Sequence, residues 1–94
     1  MELKQLQFSR KVFLLELYKV TNGDLWNTPI MFDVGRTLGF DDTLTENIVN
    51  YLVQKGYVNY ETKERDISIT IQGIDEAEKY LNQEVKNKKI DILC

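Results

Sequence analysis

The sequence predicts a mostly helical α+β fold: three helices form a core, a two-stranded hairpin follows, and a further helix closes the chain. Three observations predict it. Apolar residues recur at helical spacing in four separate stretches. The period shortens from helix to strand only between Tyr57 and Thr70. Chain reversals fall on residues that tolerate them, Asn22-Gly23, Gly39 and Gly56 among them.

The first helix is predicted from about Gln5 to Val20. Leu6, Phe13, Leu17 and Val20 form its apolar stripe, and Val12, Leu14 and Tyr18 widen it. Arg10, Lys11, Glu16 and Lys19 are placed on the other side. Thr21-Asn22-Gly23-Asp24 ends the helix, because Asn and Gly both accept a left-handed backbone. Leu25-Trp26 reads as a short extended piece, with Trp26 in the core or an interface. Thr28-Pro29 reads as the next helix start, Thr28 as cap and Pro29 in the first turn. This second helix carries Ile30, Val34 and Leu38 and stops at Gly39.

After the tight link Gly39-Phe40-Asp41-Asp42, Thr43 and Glu46 have the spacing of a capping box. The third helix buries Leu44, Ile48 and Leu52, with Thr45 and Val49 beside them, and ends at Lys55-Gly56. Tyr57 to Glu61 and Asp66 to Thr70 alternate as two strands, Val58 and Tyr60 facing Ile67 and Ile69. The charged tip Thr62-Lys63-Glu64-Arg65 joins them. The last helix is expected at about 73–88, with Ile74, Ala77, Leu81 and Val85 as its seam. The paired helices thus occupy about 29–55 and the hairpin about 57–70, in one domain spanning 1–94.

Ninety-four residues suffice for one core and not for two. A hydrophobic share of 43% beside a net charge of only -3 excludes a disordered chain. Cys94 is the single cysteine, so no internal disulfide supports the fold, and a reducing cytoplasm is the expected compartment. The opening residues lack the pattern of a signal peptide, and no apolar run is long enough to span a bilayer.

Enzyme chemistry is not expected. The chain has no histidine, its only serines are Ser9 and Ser68, and neither a Ser-His nor a Cys-His pair can be assembled. It has no glycine-rich phosphate loop, and zinc would lack both histidine and paired cysteine ligands. Capping accounts for Asp41, Asp42 and Glu46 without a cation. No cofactor and no metal are expected.

A short helix, a glycine-containing turn, a longer helix and a hairpin, in that order, describe a winged helix-turn-helix. The run from Val34 to Val58, VGRTLGFDDTLTENIVNYLVQKGYV, resembles the helix-turn-helix of MarR- and PadR-type transcription regulators. The likeness lies in Leu38-Gly39 before the third helix and in the Tyr51-Leu52 and Lys55-Gly56-Tyr57 segment leading into the wing. The run from Ile67 to Gly73, ISITIQG, is similar to the passage from second wing strand to last helix.

The resemblance implies a DNA-binding protein whose third helix enters the major groove. Thr43, Glu46, Asn47, Asn50 and Gln54 are then the recognition-helix residues. Asn and Gln suit adenine in bidentate fashion, and Glu46 suits the cytosine amine. Lys63 and Arg65 on the wing are placed at phosphates or in the minor groove, and Arg36 on the second helix at the DNA backbone. Charge works against this arrangement: Asp41 to Lys55 holds three acids and one base, and the wing holds Glu61, Glu64 and Asp66 against Lys63 and Arg65.

Duplex DNA is the expected partner, and a homodimer through the N- and C-terminal helices is expected to present two such heads. The apolar Ile90-Ile92-Leu93 tail adds to that dimer surface. The alternative is a winged helix that docks proteins and binds no DNA.

Overall fold

The computed structural model describes residues 2–61 and 65–93, without the side chains of 84–93. Its elements are α1 (Leu3–Thr21), α2 (Met31–Thr37), α3 (Asp42–Gln54), β1 (Val58–Tyr60), β2 (Ile67–Ile69) and α4 (Ile71–Leu93). The fold is α+β and mostly helical. Its two strands pair antiparallel, with Val58 opposite Ile69, Asn59 opposite Ser68 and Tyr60 opposite Ile67. Lys63 and the tip around it, like Cys94, lie outside the described residues.

One core unites these elements. Phe13, Leu14 and Leu17 of α1 meet Met31 and Val34 of α2, Ile48, Val49 and Leu52 of α3, Val58, Ile67 and Ile69 of the hairpin, and Ala77 of α4. Apolar burial of this kind stabilises by roughly 25 cal/mol per Å², so these side chains set the positions of the elements that carry polar groups outward. Asn22 ends α1 in the left-handed region (φ 56), and Gly23 follows at φ 74, its N–H donating to the Tyr18 carbonyl. Thr70 anchors α4: its hydroxyl donates to the Gly56 carbonyl and accepts from the Gly73 N–H at 2.9 Å.

Several expectations need correction. Leu25-Trp26 is a turn and not an extended piece. Asp24 accepts from the Trp26 N–H at 2.9 Å, and Trp26 is 89% exposed instead of lying in the core. The extended residues come later, at Pro29-Ile30. Ile30 bridges to Asp66, the Ile67 N–H donates to the Pro29 carbonyl at 2.9 Å, and the Met31 N–H donates to the Arg65 carbonyl. Pairing with β2 thus holds Pro29 out of α2, which begins at Met31 with Ile30 as its extended cap.

The start of α3 is capped by Asp41, whose carboxylate accepts from the Leu44 N–H at 2.8 Å, and not by a Thr43-Glu46 box. Helix α4 spans Ile71–Leu93, longer at both ends than 73–88. Arg10 and Lys11 do not sit on a solvent face: the Arg10 guanidinium stacks on Tyr51, 3.7 Å from the ring centroid, and Lys11 lies over Tyr80. Val20, placed on the apolar stripe, is exposed, and Leu44 is only half-buried.

Candidate nucleic-acid interface

Helix α3 is docked by one side and open on the other. Thr45, Ile48, Val49 and Leu52 are buried, while Thr43, Asn47, Asn50 and Gln54 are exposed. The exposed four are spaced by four, three and four residues, which places them in a line along one face. Thr45 contributes to the docking through polarity as well as bulk, since its hydroxyl donates to the Asp41 carbonyl at 2.9 Å. The small size of Gly35 lets α2 come against it.

The hairpin is latched to this helix at two points. Arg65 Nη1 lies 2.5 Å from Glu46 Oε1, and the Tyr60 hydroxyl donates to Asn50 Oδ1. Burial pushes the Tyr60 phenol's pKa up, with Arg65 opposing and Glu46 adding, so the group remains a donor at neutral pH. Arg65 holds a left-handed backbone, φ 72, which costs an ordinary residue on the order of 1 kcal/mol. Its carbonyl bond to Met31 and its ion pair with Glu46 offset that strain.

The second arginine is also engaged. Arg36 Nη2 is 3.1 Å from Asp42 Oδ2, and Arg36 Nη1 is 3.9 Å from Asp33. Both guanidiniums approach the ring of Phe32, at 5.9 Å for Arg36 and 5.7 Å for Arg65. Two cations and three carboxylates therefore converge beside the N-terminal half of α3. All of these side chains are substantially exposed, and exposed pairs of this kind are worth only about 0.2–1 kcal/mol.

Of the eight residues predicted to touch DNA, Thr43, Asn47, Asn50 and Gln54 share the open face, Glu46 flanks it, and Arg36 and Arg65 stand at its N-terminal side. Lys63 lies outside the described residues. Sequence reasoning missed the partners that hold them: Phe32, Asp42 and Tyr60. The short hairpin length hinted that Tyr60 could reach back to α3; nothing in the sequence paired Arg36 with Asp42, six positions ahead across a turn.

Among the described residues, no helix is long and apolar enough to cross a membrane. Nor does any group of three or more His, Cys, Asp or Glu side chains among them stand where it could hold a metal ion. No family model matches the chain, and comparison with curated proteins and with solved structures gave no match.

Proposed function

We propose that this chain is a winged helix-turn-helix domain that binds duplex DNA through α3, in the manner of the MarR- and PadR-type regulators it resembles. One observation carries the reading: a helix packed by Ile48, Val49 and Leu52 turns Thr43, Asn47, Asn50 and Gln54 outward in a row, beside a hairpin. A helix of this width enters the major groove, where amide side chains discriminate base edges.

The contacts divide by chemistry. Asn47 makes no side-chain hydrogen bond with another described residue, and in this reading its amide takes an adenine edge. Asn50 already spends its Oδ1 on Tyr60 and offers only its NH2. Arg36 and Arg65 exchange their carboxylate partners for phosphates when DNA arrives, a swap that weak exposed pairs permit. Because acids surround both arginines, non-specific affinity is low and base contacts carry a large share of binding. The domain acts as a homodimer through α1 and α4, in the cytoplasm, as a transcription regulator and not as an enzyme.

A second reading is favoured by the same carboxylates. Asp33, Asp42 and Glu46 leave the head acidic, as a protein-docking winged helix requires no phosphate contacts. Duplex titrations at increasing salt separate the two. DNA binding predicts a linear fall of log K with log salt, and Arg36→Ala or Arg65→Ala each reduces the slope by about one. Absence of any complex at low salt favours protein docking.

A further inference from the structure

Away from the α3 face, a hollow of about 450 Å³ opens between α1, the C-terminal half of α3 and α4. This volume falls in the range of about 300–1,000 Å³ typical of small-molecule sites. Its walls combine two chemistries. Arg10, Lys11 and Lys55 supply three cations, and Phe8, Tyr51 and Tyr80 supply flat aromatic surface. No carboxylate is among the described lining residues, although the chain as a whole carries a net charge of -3.

The cations are held by rings and not by acids. Arg10 lies 3.7 Å from the Tyr51 centroid, Lys55 lies 5.9 Å from the same ring, and Lys11 lies 4.9 Å from that of Tyr80. No ion pair ties any of the three to another described residue. Arg10 Nε is moreover buried with no acceptor among the described residues. The nearby Glu76 is taken up elsewhere, accepting from the Tyr57 hydroxyl at 2.6 Å and facing Lys79. Three like charges gathered around one hollow repel one another, and a multiply charged anion relieves that repulsion.

We propose that this hollow binds a nucleoside monophosphate, with its phosphate against Arg10, Lys11 and Lys55 and its base against the aromatic wall that includes Phe8. A dianionic phosphate matches three cations better than a singly charged carboxylate does. The base accounts for the flat apolar wall and for a volume larger than a phosphate alone would fill. Phe8 is 64% exposed on this rim, so the face of its ring is accessible to a stacking base. The proposal is independent of DNA binding, because none of these residues belongs to the α3 face.

Calorimetric titration of the full chain with the four common nucleoside 5′-monophosphates tests it, with inorganic phosphate and benzoate as comparison ligands. At least one nucleotide should bind saturably at one site per chain, more tightly than either comparison ligand. Lys55→Gln should weaken that nucleotide by roughly 5- to 10-fold, the loss of one charge-assisted contact. Phe8→Ala should weaken the nucleotide and leave phosphate unaffected. Both side chains are exposed, so both variants should unfold at the wild-type temperature. The proposal is overturned if no nucleotide saturates, if phosphate alone binds as well, if benzoate binds as well, or if the two variants bind like wild type.

Discussion

Asp41 and Thr43 both have side chains able to cap α3, and geometry assigns the task to Asp41. Its carboxylate accepts from the Leu44 N–H, while the box-forming partner of Thr43, Glu46, turns to Arg65. Asp41→Ala should therefore lower stability by about 1 kcal/mol in chemical denaturation, and Thr43→Ala should leave it nearly unchanged. A Thr43-Glu46 box would give the reverse order. Polar residue types and their rough places were legible in the sequence here. Which of two candidates two positions apart caps was not, because the choice depended on a guanidinium nineteen positions from Glu46. Tyr57 gives a second test at this scale. Its hydroxyl donates to Glu76, and that bond, with burial adding, raises its pKa from 10.0 to about 12. A phenol whose folded pKa lies above its unfolded value stabilises fully below pH 10 and loses that contribution as pH rises through about 12. Tyrosinate absorbance should show a component titrating near pH 12 that Tyr57→Phe removes, while the other raised phenols, Tyr18, Tyr60 and Tyr80, remain.

The packing of α2 on α3 rests on Gly35. A Cβ there would stand 2.1 Å from the Thr45 hydroxyl oxygen, and Thr45 is fully buried and tied to the Asp41 carbonyl. In an open helix, replacing Gly with Ala stabilises by roughly 0.5–1 kcal/mol. Here the sign should invert, with Gly35→Ala lowering stability by about 1–3 kcal/mol in thermal unfolding, because the two helices must separate. Periodicity made four helices and both strands legible, since burying one face dictates the spacing of apolar residues whatever the partner. The start of α2 was not legible. Thr28-Pro29 carries the local chemistry of a helix start, yet β2 takes the Pro29 carbonyl, and long-range pairing outweighs a local preference worth about 1 kcal/mol. Of the α3 face, the row from Thr43 to Gln54 followed from helical spacing, whereas its attachments to Tyr60 and Arg65 required the hairpin's position. The hollow beneath α1 was hidden for the same reason: Arg10 and Lys11 look like solvated charges until Tyr51 and Tyr80 are brought over from other elements.

At the scale of the molecule, α4 runs for 23 residues, about 34 Å of helix, in a particle whose longest extent is 50 Å. The buried seam of α4 reaches Ala77, and Leu81 is already exposed, as is Leu3 of α1. Pairing of two copies through α1 and α4 would cover such surface, and sedimentation equilibrium in the tens of micromolar should give twice the mass of 11.1 kDa. A single-chain mass would contradict that association. The charge balance has a consequence at the same scale: with a net charge of -3 and both head arginines beside carboxylates, the proposed recognition of DNA would have to draw on base contacts. Selection from a random duplex pool, followed by titration of the enriched sequence with wild type and Asn47→Ala, measures this directly. The account predicts a defined enriched sequence and a loss of about 1–3 kcal/mol for Asn47→Ala, with thermal unfolding unchanged. An unenriched pool, or an enriched duplex that Asn47→Ala binds as tightly as wild type, would contradict it.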